Sequence, residues 1–175
     1  MNKILVEVSV GELLDKISSH SEEIILDGYK QDPSKGASIE NLPDGLKPFA
    51  VLDINAIGAH AYRWRFNMKT GTVTEGPLES GLSEFGMINP GVAGLPYQYS
   101  WAMTTKPGWF LFDGLVRLDA ATGQRQQYRF PEGVYGSESP MAPSPAGENE
   151  DDGYVLTFTT DMNTNSSHCQ ILTTT

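Results

Sequence analysis

The alternation of apolar and polar residues along this chain predicts short β-strands rather than helices. Strand-like segments lie at residues 23–29, 49–55, 61–67, 97–103 and 153–160. The first of these is a compact apolar run closed by Asp27-Gly28, which predicts a buried strand. Only residues 10–17 have the apolar spacing of a short amphipathic helix. Residues 31–48 and 76–96 are rich in proline and glycine and are expected to be irregular.

One local pattern recurs at a spacing of roughly 40–50 residues. Residues 65–71 and 117–123 each predict a strand, an Asx-type turn and a glycine with positive φ before a second strand. Residues 161–165 are a weaker copy with Asn165 in place of glycine. Hairpins at this period are typical of propeller blades. The predicted fold is therefore all-β, a partial β-propeller of about three to four blades. We expect residues 22–175 to form the incomplete propeller domain and residues 1–21 to be an atypical N-terminal segment.

The chain carries a net charge of −10, which argues against nucleic acid and anionic membrane surfaces as partners. Four acidic residues fall within residues 148–152, a run that by itself indicates a solvated loop. The single cysteine, Cys169, excludes an internal disulfide and is expected to pack within a strand. No apolar run is long enough to span a bilayer, and residues 1–6 make a poor secretion signal, so we predict a cytoplasmic location.

The residues alone indicate no catalytic and no metal-ligating site. His20, His60 and His168 are scattered, and none has a second histidine or carboxylate at ligand spacing, so each is expected to have a surface or packing role. A glycine-rich phosphate loop, a nucleophile elbow and a metal-binding cysteine pair are all missing from the sequence.

Two carboxylates lie in predicted loops beside apolar and aromatic residues. Glu84 precedes Phe85, and Glu138 follows Tyr135 by three positions. A carboxylate in such a place either faces solvent or is a buried acceptor that needs a donor. A metal-bound imidazole is one such donor, because its second N–H is typically held by a carboxylate. The residues by themselves leave both interpretations open.

The order of segments from about residue 22 to residue 172 resembles the carotenoid cleavage oxygenase family, which includes lignostilbene dioxygenases. The resemblance rests on residues 23–28 (EIILDG), 62–67 (YRWRFN) with Thr70-Gly71, Glu84-Phe85 with Ile88-Asn89, 94–99 (GLPYQY), 114–119 (GLVRLD) with Thr122-Gly123, and 150–154 (EDDGY). Each motif is weak alone, but six of them in the family's order and with similar spacing are fairly specific.

The resemblance implies a seven-bladed propeller that holds one Fe²⁺ on its axis through four histidines. Such enzymes use O₂ to split a conjugated double bond of an apolar carotenoid, apocarotenoid or stilbene into two carbonyl products. Glu84 and Glu138 match two family glutamates that orient iron-binding histidines. Residues 150–153 match a family turn and are expected to be structural. Four aromatic residues are candidates for lining a substrate tunnel, with packing between blades as the favoured alternative: Phe85, Tyr97, Tyr99 and Trp101.

This chain also departs from the family pattern. Residues 13–19, where the family places an iron-binding histidine, contain none, and the remaining ligands would lie outside the chain. We therefore expect a fragment truncated at both ends that holds no iron and lacks activity alone, with open propeller faces that self-associate. Gly86 and Ser139 stand where the family tends to have proline, and Gln98 stands where arginine is common.

Two alternatives from other classes remain. The first is a non-catalytic propeller segment that serves as a binding or scaffold module, for which inward-facing buried carboxylates would have no use. The second is a sugar-processing or lactonase-type propeller, which would need several carboxylates converging on a metal or a glycosidic bond. The charges cluster in one turn and do not indicate that arrangement.

Overall fold

The computed structural model describes residues 22–31, 58–105 and 111–174. Its strands within these ranges are β1 (Glu23–Gln31), β2 (Ala59–Asn67), β3 (Val73–Pro77), β4 (Ser83–Ile88), β5 (Tyr99–Thr105), β6 (Phe112–Asp119), β7 (Arg125–Arg129), β8 (Val134–Gly136), β9 (Met141–Pro143), β10 (Gly153–Asp161) and β11 (Ser166–Thr173). A single 3-10 turn at Pro90–Val92 is the other regular element of the described residues. The predicted all-β class is confirmed.

The strands form three consecutive antiparallel groups, which are three blades of a β-propeller. The first blade is β1-β2-β3, and the second is the four-stranded meander β4-β5-β6-β7. In the third blade, β8 and β9 both pair with β10, which pairs with β11. One pair, Phe112 with Gly136, joins the second and third blades into a continuous sheet that curls around a shared core.

The three repeated turns have the predicted chemistry. Asn67 and Asp119 each accept hydrogen bonds through Oδ1 from the backbone N–H groups two and three residues further on. Gly71 (φ 69°) and Gly123 (φ 73°) then adopt the left-handed conformation that glycine reaches without a Cβ clash. In the third copy Asn165 takes this position at φ 51°, which asparagine tolerates better than most residues.

The core lies where the second and third blades meet. Its fully buried members come from β5, β6, β9, β10 and the segment after β7: Trp101, Met103, Leu115, Phe130, Met141 and Val155. Met103 is at the centre with 0% exposure. Gly136 allows this close approach, because an added Cβ would lie 2.6 Å from Phe130 Cε2 and 2.8 Å from Met103 Cε. The core therefore packs the second and third blades against each other.

The acidic run at residues 148–152 connects blades rather than forming a solvated loop. The Glu150 carboxylate accepts the backbone N–H groups of Gln98 and Tyr99, and Asp151 forms an ion pair with Arg117. Asp152 accepts the N–H groups of Glu148 and Asn149 and so closes the turn, which lowers the pKa of its carboxyl below the usual range. The solvated interpretation was wrong for Glu150 and Asp151, whereas the expectation of a structural turn is confirmed.

Several sequence expectations need correction. Residues 83–88 were expected to be irregular but form β4. The strand was missed because the bulge at Phe85 and Gly86 interrupts the alternation of side chains by which a strand is recognised. The first strand is not buried, since Ile25 is 47% exposed. Cys169 is exposed on β11 rather than packed. The expectations for residues 10–17, 32–48 and 49–55 lie outside the described residues.

Candidate functional site

Glu84 lies on β4, the first strand of the second blade, at the point where strand pairing is interrupted. It pairs with Met103 on β5, and the next regular pair is Met87 with Trp101. Phe85 and Gly86 therefore form a bulge, with Phe85 at φ 55°. A non-glycine residue in this conformation costs of order 1–3 kcal/mol and is commonly found where a side chain must be aimed. The bulge therefore fixes the direction of the backbone next to Glu84.

Glu138 lies at the equivalent place in the third blade. β8 ends at Gly136 and β9 begins at Met141, and both strands pair with β10. The intervening residues 137–140 leave the ladder, and Glu138 is exposed within them. Each glutamate thus lies at a break in the first strand of its blade, and these two blades are adjacent.

Neither carboxylate has a hydrogen-bond partner among the described residues. Glu84 is half-buried, and burial raises the pKa of its carboxyl above the ordinary value. Glu138 is exposed, so the burial expected of both acids is found only for Glu84. A desolvated carboxylate without a donor is stabilised by any N–H brought to it.

Tyr29 of the first blade packs against the bulge beside Glu84. A Cβ added to Gly86 would lie 2.3 Å from the Tyr29 hydroxyl, so the phenol lies where a larger residue would place its side chain. Burial raises the pKa of the Tyr29 phenol, and the nearby carboxylates Glu79 and Glu84 reinforce the shift. Glu79 is itself buried, accepts a hydrogen bond from Ser83 Oγ at 2.7 Å and lies 3.0 Å from Arg125 Nε. Tyr29 of the first blade therefore covers one side of the Glu84 region, while Phe85 on the bulge stays exposed.

The four aromatic tunnel candidates are not in one place. Phe85 is 42% exposed beside Glu84 and meets the Phe112 ring edge-on at 5.4 Å between centroids. Trp101 is a buried core residue at 4% exposure. Tyr97 donates its hydroxyl to Asp27 of the first blade. Tyr99 packs against the core, with the Arg117 guanidinium over its ring. Their role in a tunnel remains a prediction.

The fit to an iron site can rest only on acceptors for ligating histidines, because the described residues bring together no set of iron ligands. No group of three or more histidine, cysteine, aspartate or glutamate residues within the described ranges could hold a metal. His60 Nδ1 lies 2.9 Å from the carbonyl of Gly81, and His168 Nε2 lies 3.0 Å from Ser166 Oγ on β11. His20 lies outside the described residues. The carboxylates of Glu84 and Glu138 are acceptors of the kind that the resemblance implies, and their role remains a prediction.

Met103 and Ser139 were not among the predicted site residues. Both are buried, at 0% and 3% exposure, and they connect the two glutamate segments. The one signal for Ser139 is its position directly after Glu138, where the resembled family tends to have proline. Met103 carried no signal, because a buried methionine in a strand is ordinary core. Among the described residues no helix has the length and apolar character needed to cross a membrane.

The family model for RPE65, the retinal pigment epithelial membrane protein, matches residues 11–175 of the chain. Carotenoid 9,10(9′,10′)-cleavage dioxygenase 1 of Arabidopsis thaliana is 33% identical over 123 residues, which are 63% of this chain and 22% of that protein. The Pisum sativum enzyme of the same name is 29% identical over 125 residues, covering 63% and 23%. The chain thus spans less than a quarter of the length of these relatives.

Known structures show the same fold. Cobalt-substituted Synechocystis ACO, an apocarotenoid oxygenase, superimposes with a TM-score of 0.73 at 21% sequence identity. The superposition covers 89% of this chain and 32% of that protein. A chimera of ACO and RPE65 gives a TM-score of 0.72 at 20% identity over the same share of each chain. The oxygenases with this fold are seven-bladed β-propellers, in agreement with the blades described above.

Proposed function

Because this chain belongs to the RPE65 and carotenoid cleavage dioxygenase family, we propose that it forms part of an iron(II)-dependent oxygenase. The enzyme uses O₂ to split a conjugated carbon–carbon double bond in a carotenoid, apocarotenoid or stilbene, giving two carbonyl products. Iron bound there would supply the activation of O₂. The residues of this chain hold and orient the imidazoles that bind it.

One observation carries this proposal: two carboxylates without partners lie at equivalent breaks in the first strands of adjacent blades. In a propeller these strands surround the central channel. Glu84 and Glu138 each accept an N–H from an iron-binding histidine, which fixes the tautomer and orientation of the ring. The N–H favours the ionised carboxylate and so opposes the rise in the pKa of Glu84 that burial causes.

The test uses a chimera in which residues 22–174 replace the matching segment of Synechocystis apocarotenoid oxygenase. Glu84→Gln and Glu138→Gln are each expected to lower iron affinity or turnover by roughly 10- to 100-fold, since glutamine keeps the shape and loses the charge. Iron is measured by mass spectrometry and turnover by ¹⁸O incorporation from ¹⁸O₂ into the aldehyde product. Glu148→Gln, an exposed carboxylate in the turn before β10, is the matched control.

Two results would count against the proposal. If both glutamine variants keep the iron affinity and turnover of the parent chimera, the carboxylates do not serve ligating histidines. If the folded chimera binds no iron, a non-catalytic binding or scaffold role is favoured instead. For the isolated chain we propose that no stoichiometric iron is held, and one tightly bound equivalent after anaerobic loading would contradict this.

The proposal extends to partners and location. An apolar conjugated substrate suits Phe85, whose ring is 42% exposed beside Glu84. Self-association is supported by one face of β10 and β11, where Phe158 is 67% and Ile171 64% exposed. Sedimentation of the wild-type chain and of Phe158→Ser tests it, and equal association of the two would contradict it. We keep the proposed cytoplasmic location, which fractionation of cells expressing the tagged chain tests.

A further inference from the structure

The carboxylates of the two glutamates have no hydrogen-bond partner among the described residues, so their relative position must come from neighbouring residues. For Glu84 the neighbour across the strand pair is Met103 on β5. Met103 has 0% exposure and belongs to the core shared by the second and third blades. Packing density in such a core leaves little room for movement. The backbone at Glu84 is therefore anchored to a residue that cannot shift alone.

For Glu138 the neighbour is Ser139, which is 3% exposed. Its Oγ lies 2.8 Å from the carbonyl of Ser137 and so forms a bridge across Glu138 within the segment 137–140. The same Oγ lies 3.1 Å from Met103 Sδ. The carbonyl is the stronger acceptor and takes the hydroxyl proton, while the oxygen packs against the sulfur. One hydroxyl thus shapes the Glu138 segment and contacts the partner of Glu84.

This contact needs a close approach of the two blades. Gly136 provides it, since an added Cβ would lie 2.8 Å from Met103 Cε. Phe112, which pairs with Gly136, also contacts the ring of Phe85 next to Glu84. Two routes, through Met103 and through Phe112, therefore connect the glutamate segments.

We infer that Ser139 and Met103 are positioning residues that set the distance and direction between Glu84 and Glu138. The inference deepens the proposed function and rests on it, because fixed spacing matters only if both carboxylates serve the same metal site. It also accounts for serine after Glu138. A buried hydroxyl bonded two residues back restrains this segment without proline.

The experiment measures that distance directly in the 175-residue chain. Spin labels are attached at Glu84→Cys and Glu138→Cys in a Cys169→Ser background, since Cys169 is the single native cysteine. Double electron–electron resonance then gives the distance distribution between the labels. Ser139→Ala is expected to widen the distribution at least twofold, because it removes both contacts of the hydroxyl. Ser137→Ala is the matched control, since its hydroxyl contacts only the exposed carbonyl of Glu138.

Met103→Leu is measured alongside, because it keeps the side-chain volume and removes the sulfur; a shifted or wider distribution is expected. Circular dichroism reports whether each variant folds. If Ser139→Ala does not fold, the distance distribution of Met103→Leu decides the question. A folded variant that loses stability but keeps the parent distribution overturns the inference. The measurement uses neither iron nor substrate. A chimera that binds no iron would therefore contradict the proposed function without affecting this result. An unchanged distance distribution in the variants would contradict only the positioning role.

Discussion

Arg63 and Asp27 lie directly opposite each other in the pairing of β1 with β2, and their side chains form a two-point ion pair. Arg63 Nε donates to Oδ1 at 2.6 Å and Nη2 donates to Oδ2 at 2.5 Å. The same carboxylate accepts the Tyr97 hydroxyl, and Arg63 Nη1 donates to the carbonyl of Ala120 at 3.3 Å. Since Tyr97 and Ala120 belong to the second blade, this cluster fixes the first blade against it.

Asp27→Asn is expected to destabilise the fold by roughly 1.5–3 kcal/mol, the range for hydrogen bonds to charged groups. The change keeps the shape of the side chain but leaves the Arg63 guanidinium, with 16% of its side chain exposed, without its counter-charge. Urea denaturation gives the difference in unfolding free energy. Glu75→Gln is the control, because it breaks the exposed pair with Lys30 and should change little. Equal effects of the two changes would contradict the role of Asp27.

Local features of this fold could be predicted from the sequence, and contacts between distant segments could not. The repeated turns were predictable because the residues that form each turn, such as Asp119 and Gly123, lie within one five-residue segment. The carboxylate of Glu150 acts on Gln98, far away in the sequence, so nothing near Glu150 indicates its partner. The bulge at Phe85 hid β4, because a break in alternation looks like a loop. Family resemblance identified the glutamates, but only the fold placed them at equivalent breaks.

Glu150→Ala is expected to expose the start of β5. The carboxylate accepts the Gln98 N–H at 2.8 Å and the Tyr99 N–H at 2.8 Å. Hydrogen exchange at these two amides should accelerate at least tenfold, while the amides of β6 keep their rates. The amides are followed by NMR. Glu148→Ala is the matched control, and equal exchange in both variants would show that Glu150 does not hold this strand.

Gly86→Ala is expected to destabilise the fold by about 1–3 kcal/mol, the usual cost of overpacking. Its new Cβ would lie 2.3 Å from the Tyr29 hydroxyl. Adding Tyr29→Phe removes the clashing oxygen and should recover part of the loss in a double-mutant cycle measured by urea denaturation. Gly76→Ala serves as the control, because its Cβ would meet nothing within 4 Å. Strictly additive effects of the two changes would argue against the contact.

Glu84→Gln should stabilise the isolated chain at neutral pH and lose that advantage in acid. Burial raises the pKa of Glu84 above its ordinary value of 4.5, so the folded chain binds this proton more tightly than the unfolded chain does. The stability that protonated Glu84 contributes is fully present below the unfolded pKa and is lost as pH rises through the folded pKa. Glutamine avoids this loss because it never ionises.

Urea denaturation of wild type and Glu84→Gln across the range from acid to neutral pH checks this expectation. The difference in unfolding free energy should grow as pH rises and disappear below the ordinary titration range of glutamate. A gain that is the same at every pH would come from packing or from the amide's own hydrogen bonds, and would contradict a desolvated carboxylate at this position. A pH-dependent gain would mean that Glu84 is kept at a cost in stability, as the proposed function expects of a carboxylate that accepts an N–H from outside the described residues.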